Sequence, residues 1–176
     1  MMILESYEHA RARGAADPGG VRRVRGLLRL LPPDRPGSRG LGGAMAIRRA
    51  IEDAGLSPSD IQYYNAHGTS TPINDPTETL MVKKAFGDHA AKLKISSTKS
   101  VTGHMIAAAG AVEAIVCVMA IRDGFCPPTI NLDEPDPACD LDYVPNKGVA
   151  LPVRAAASAS LGFGGHNGCV VFRRAE

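Results

Sequence analysis

Three observations predict an α/β chain. Helix-like and strand-like patterns alternate from residue 44 onward, as they do where helices cover a sheet. One helix pattern is two-faced and stops at a glycine, and the next opens on turn and capping residues. A third, "MIAAAGAVEAIVCVMAI" from Met105 to Ile121, is apolar on every side except at Glu113. A helix of that kind belongs inside a larger body, which implies more protein around it than this chain supplies.

In order along the chain, "ILESYEHARAR" (3–13) reads as a strand end followed by a short polar segment. Residues 16–43 are built almost entirely from Gly, Arg, Leu and Pro, with no aromatic residue and two acids. No period of 2 or 3.6 survives there, so a loop is predicted, with one helical turn at Leu27–Leu31. The same composition is what GC-rich coding yields out of register. A divergent loop and a shifted reading frame are the two expectations for its origin. From Ala44, Ile47, Ala50, Ile51 and Ala54 share one helical face, while Arg48, Arg49, Glu52 and Asp53 take the other, and Gly55 stops the helix. "IQYYNA" (61–66) reads as a strand. In "DPTETLMVKKAFG", Asp75 is the expected N-cap, Pro76 suits the first helical position and Glu78 completes a capping box. "LKISSTKS" (93–100) is a further strand, followed by the apolar helix and the proline-bounded extended piece "CPPTINL". "RAAASASLGFGGHNGCVVFRR" closes as two short strands around a Gly-rich turn. The expected organisation is thus residues 1–15 as a leading strand and linker, 16–43 as an irregular segment, and 44–176 as the ordered domain.

Composition narrows the function. With 44% hydrophobic and 22% charged residues, the 176-residue chain reads as soluble and globular. A net charge of +2 is too small to argue for nucleic acid or a membrane surface, although Arg22, Arg23, Arg25, Arg29, Arg35 and Arg39 crowd the first quarter. The apolar helix is too short and too rich in Ala and Gly for a comfortable membrane span. Met1 leads into a mixed polar stretch, so no signal peptide is expected. The four cysteines, Cys117, Cys126, Cys139 and Cys169, form no CxxC pair. No metal site is expected, and a reduced, cytoplasmic protein fits best.

Three stretches carry candidate chemistry. In "NAHGTST", His67 stands where a strand ends, with Gly68, Thr69 and Thr71 behind it. In "SSTKSVTGH", Lys99 lies five positions before His104, where the long helix begins. "GFGGHNG" spans Gly162 to Gly168. Each has an ordinary structural reading: a strand-end histidine, a solvated lysine, a buried Glu113 paired to one lysine, glycines that permit a hairpin. Together they fit one task. The positive end of a helix disfavours a protonated His104, and two neutral imidazoles aimed at one carbonyl oxygen stabilise a developing enolate. Thr69 and Thr71 can hold an amide-bearing substrate arm, and a Gly-rich turn brings a backbone N–H close to an oxyanion. A nucleophile is missing, because no cysteine sits in a strand-to-helix elbow.

These stretches have a family likeness. From Ala44 to Arg174 the chain resembles the C-terminal half of an elongating, type II β-ketoacyl-acyl-carrier-protein synthase. The resemblance rests on "NAHGTSTPINDPTET", "SSTKSVTGHMIAAAGAVEAI", "PPTINLDEPDPACDLDYVP" and "LGFGGHNG", in the family's order and spacing. It implies a thiolase-like layered fold, of which this is the C-terminal half only, and a homodimer in the intact enzyme. It implies an acyltransferase of fatty acid biosynthesis working by decarboxylative Claisen condensation. Its substrates ride on the phosphopantetheine arm of acyl carrier protein, and no other cofactor is expected. By resemblance, His67 and His104 are the two histidines of a Cys-His-His triad, Lys99 the lysine beside the second, and Glu113 its buried partner. Phe163 matches the gating phenylalanine, whose backbone N–H shares the oxyanion hole, in the loop that includes Gly164. Thr69 and Thr71 match the residues that touch phosphopantetheine. The chain departs from the family in three ways. The nucleophilic cysteine belongs to the other half, Ala159, Ser160 and Leu161 stand where Asn-Ser-Phe is usual, and residues 16 to about 43 do not match. A non-catalytic partner half and a polyketide-type ketosynthase are the alternative expectations.

Overall fold

Alternation of small apolar residues along two long strands decides how the layers stack. A computed structural model describes residues 4–15, 25–30 and 40–174. Strands β6 (Ala155–Gly162) and β7 (His166–Arg173) form an antiparallel hairpin, with Ala155 opposite Arg173 and Gly162 opposite His166. Ala155, Ala157, Ala159, Cys169 and Val171 point to one face of the sheet, and Ala156, Val170 and Phe172 to the other. This is the period of 2 expected of a pleated strand buried on both sides.

Strand β2 (Tyr63–Asn65) runs parallel to β6, and β3 (Lys94–Ser96) parallel to β2. On the far edge β1 (Arg25–Leu30) pairs antiparallel with β7, giving the order β1-β7-β6-β2-β3. Helices α2 (Leu41–Asp53) and α3 (Asn74–Phe86) cover one face and bury Tyr64. The opposite face takes α5 (Ala109–Asp123) over Tyr63, Ala156 and Phe172. Alanines along β6 let both helix layers close on the sheet. A two-residue ribbon, β4 (Phe125–Cys126) with β5 (Val149–Ala150), follows α5. The irregular stretch between them guards the β3 edge through Asp142, whose carbonyl accepts the Ile95 N–H at 2.9 Å.

Several elements differ from the sequence reading. Residues Tyr7–Ala12 form a helix, α1, and not a strand end, because the Ser6 hydroxyl accepts the His9 N–H and caps it. The helical turn expected at Leu27–Leu31 is strand over residues 25–30. Pairing with the β7 edge supplies the hydrogen bonds that local periodicity did not announce. Residues 16–24 and 31–39, the rest of the expected loop, lie outside the described residues. Helix α2 begins at Leu41, ahead of Ala44, with Gly42 and Gly43 buried. A Cβ on Gly43 would overlap the Met81 side chain, so the glycine sets how closely α2 and α3 approach. The long helix begins at Ala109, after a 3-10 turn at Ile106–Ala108, rather than at Met105.

Candidate active site

Strands β2, β3 and β6 are parallel, so their carboxyl ends open on the same edge of the sheet, the usual position for a ligand in an α/β sheet. His67 stands two residues past the end of β2. Lys99 begins the short helix α4 (Lys99–Thr102), three residues past β3. Strand β6 runs four residues beyond Ser158, the partner of Asn65, and delivers the Phe163–Gly165 turn to that same end. Gly164 adopts a left-handed φ of 77° there, which a glycine permits. The Phe163 side chain lies outside the described residues.

His67 is held from behind. The backbone N–H groups of His67 and Gly68 both donate to the Glu78 carboxylate, at 2.8 and 2.9 Å, and the Tyr64 hydroxyl donates to it at 3.0 Å. Glu78 is therefore no capping-box residue. Helix α3 starts at Asn74, ahead of Asp75, and the Thr71 hydroxyl accepts the Asn74 N–H at 3.2 Å. Sequence reasoning placed Glu78 on a helix end and missed this role. Its spacing of eleven residues from His67 fits a turn that folds back, and a buried carboxylate needs donors.

Gly68 is pressed against Ser97, whose hydroxyl donates to the Gly68 carbonyl at 2.6 Å. An added Cβ would sit 2.5 Å from the Ser97 Cβ, and φ is +38°. Gly68→Ala is expected to cost about 2–4 kcal/mol in urea unfolding, from the left-handed backbone and the clash together.

His104 follows the Gly103 turn and lies five residues before α5, beyond the reach of that helix's dipole, which fades within one turn. The Ile106 N–H donates to His104 Nδ1 at 3.1 Å, so a ring proton resides on Nε2. The turn that makes this bond holds Ile106 at φ +48°, a rare conformation for a β-branched residue. The His67 and His104 rings meet edge to face, centroids 5.3 Å apart at 86°. The two candidate histidines thus share one site, His67 buried and His104 exposed. Behind them Lys99 and Glu113, both buried, form an ion pair. Glu113 Oε2 and His67 Nδ1 are buried without a hydrogen-bond partner. The Thr69 and Thr71 hydroxyls lie 3.3 Å apart on the turn beside His67.

Burial, then the Lys99 and His104 charges, push His67 down to about 4. Its imidazole is neutral at pH 7. An NMR titration is expected to find its midpoint near 4. The unfolded chain takes up this proton first as pH falls, so His67's contribution to stability declines from about pH 6.5 to pH 4. Glu78 and Glu113 are raised by burial and contribute with the opposite sign above 4.5, so the ring signal is the decisive reading. The four thiols are ordinary or inert. Burial raises Cys126 to about 11 and Cys169 to about 12, Cys117 lies well above its usual value, and Cys139 is raised too. None approaches an activated thiolate.

Comparison with known proteins bears on these motifs. Residues 34–133 match the family model described as the C-terminal domain of β-ketoacyl synthases, starting ten residues before the expected domain boundary. The chain is 48% identical over 174 residues to a 3-oxoacyl-[acyl-carrier-protein] synthase 2 of Synechocystis sp., covering 99% of this chain and 42% of that one. A synthase of the same name from Coxiella burnetii is 47% identical, with 98% and 42% covered. Among solved structures, a type II polyketide ketosynthase in complex with its acyl-carrier protein superposes with a TM-score of 0.86 at 40% identity, over 97% of this chain and 42% of that one. The chain spans about two fifths of the length of the relatives it matches.

Proposed function

Because the chain belongs to the β-ketoacyl synthase family, as its C-terminal domain, we propose that it supplies the two-histidine half of a 3-oxoacyl-acyl-carrier-protein synthase site. The observation that carries this is the contact of the His67 and His104 rings at the carboxyl end of parallel strands, with the buried Lys99–Glu113 pair behind them. A malonyl thioester on acyl carrier protein loses carbon dioxide, and the electron pair of the broken C–C bond passes into an enolate. Its oxygen needs N–H donors that are neutral beforehand and fixed in place. His104 offers Nε2–H because its Nδ1 is occupied, and His67 is neutral because it is buried. The enolate carbon then attacks an acyl thioester, and the thiolate leaves. Thr69 and Thr71 would bond the amides of the phosphopantetheine arm, and the Gly164 turn would present the Phe163 N–H to the second oxyanion.

The acyl-bearing cysteine must come from outside this chain, since its own thiols are buried or raised in pKa. Alone, the chain is therefore expected not to accept an acyl group. The test mixes it with the remaining three fifths of the Synechocystis relative, expressed separately, and supplies acyl- and malonyl-acyl-carrier protein. Product is expected from the mixture only, with a loss of about 100- to 1,000-fold in His104→Ala. Acylation of the chain by itself, or a mixture indifferent to His104→Ala, would refute the reading. A polyketide-type condensation is the second reading, favoured by the 40% identity to the polyketide ketosynthase. Product length in the same assay separates the two.

A further inference from the structure

The irregular segment between β4 and β5 does more than cover a sheet edge. Asn131, Val144 and Asn146 adopt left-handed φ values of 60°, 47° and 58°, which fold the segment back on itself. The Thr129 N–H donates to the Val144 carbonyl at 3.0 Å, and the Thr129 carbonyl accepts the Asn146 N–H at 2.8 Å. A β-branched residue such as Val144 stays in the left-handed region only where its surroundings hold it there. The Thr129 backbone is thus pinned from both sides, and its own branched Cβ leaves the side chain few rotamers.

The fixed hydroxyl reaches the histidine site. Thr129 Oγ1 accepts the N–H of buried Ser97 at 3.0 Å, and Ser100 Oγ accepts the next N–H of the segment, that of Ile130, at 3.1 Å. Ser97 and Ser100 bracket Lys99, and the Ser100 hydroxyl donates to the Ser97 carbonyl at 2.8 Å, which closes the turn. From Ser97 the bonds run on to the Gly68 carbonyl, beside His67. We propose that Thr129 is a positioning residue of the two-histidine site: its hydroxyl fixes the turn between β3 and α4, and through that turn both Lys99 and His67. As a role in catalysis this rests on the proposed condensation; as geometry it is measurable on the chain alone.

Thr129→Val keeps the shape and removes the acceptor. The Ser97 N–H is then left in the interior without a partner unless the turn shifts. A shift carries the Lys99 ammonium away from His67 and loosens the hold of Ser97 on Gly68. The Ile130 N–H on Ser100 is a second, weaker grip on the same turn, since it leaves the Ser97 N–H satisfied.

The test is an NMR titration of the histidine rings in the full chain, with the nuclear Overhauser contact between the His67 and His104 rings read on the same samples. In Thr129→Val the His67 midpoint is expected to rise by about one pH unit from its value near 4, because burial, and then the Lys99 charge, hold it down less. The ring contact should fade with it. Thr129→Ser keeps the oxygen and should retain both signals. A role confined to stability would lower the urea midpoint and leave these native-state signals in place. Ser100→Ala is the second arm if Thr129→Val fails to fold, and should move the His67 midpoint in the same direction by a smaller step. Three results would overturn the proposal: a folded Thr129→Val with His67 still near 4 and the ring contact intact, a Thr129→Ser as disturbed as Thr129→Val, or an unfolded Thr129→Val together with an unchanged midpoint in Ser100→Ala. Because the rings are read without the other half of the enzyme, a mixture that makes no product refutes the condensation and not the placing of the turn by Thr129.

Discussion

Glu113→Ala is expected to lower stability by about 3–5 kcal/mol, because it strands the Lys99 ammonium in the interior. Lys99 and Glu113 are 8% and 2% exposed, and each is the other's ionic partner behind the histidine pair. Burial raises the Glu113 carboxyl, and the hydrogen bond and charge of Lys99 only partly restore it, so the pair gains little over two apolar groups. The double change Lys99→Met with Glu113→Leu should therefore recover most of the loss, where simple additivity would double it. Urea unfolding of Glu113→Leu, Lys99→Met and the double variant measures this coupling. The double variant carries a second readout. The Lys99 charge is one cause of the depressed His67 value, so removing it should move the His67 NMR midpoint upward from about 4. A Glu113→Ala loss under 1 kcal/mol would mean that Lys99 escapes to water.

The pair was legible in the sequence for a plain reason. Glu113 is the lone charge between Met105 and Ile121, and a buried carboxylate without a cation is costly. The alternating order of elements was equally plain, since Ile47, Ala50, Ile51 and Ala54 mark one helical face and "IQYYNA" cannot be a helix of useful length. The two histidines were legible because His67 stands at a strand end beside a glycine and His104 follows a glycine just ahead of the long helix. Strand β1 was hidden because its evidence lies 140 residues away, in the free edge of β7. Helix α1 was hidden for a shorter-range cause: its cap at Ser6 directly follows apolar residues that read as a strand end. The helix-dipole account of His104 failed because the chain takes a 3-10 turn first, which leaves the ring five residues ahead of α5. Glu78 was the largest omission, since a carboxylate near a helix start reads locally as a cap whatever it touches in the fold.

Glu78→Ala is expected to be the second large change, about 3–5 kcal/mol, and to act on the site as well as the fold. The carboxylate receives the His67 N–H and the Tyr64 hydroxyl in the interior and the half-buried Gly68 N–H. Each donor left unpaired costs about 1–3 kcal/mol, and relief of the desolvated carboxylate returns part of the sum. Burial raises the Glu78 carboxyl despite these bonds, which is why the full three-donor cost is not expected. Glu78→Gln keeps the shape and one acceptor but turns an N–H₂ toward backbone donors, so it should fall between alanine and the parent. Stability alone would not separate a role in the fold from a role in placing His67. The ring signal does. Once its backbone is released, His67 should become more solvated, and its NMR midpoint should rise from about 4 toward 6.5, with glutamine again in between. An alanine variant that unfolds early while His67 still titrates near 4 would show that Glu78 supports the fold without positioning the histidine.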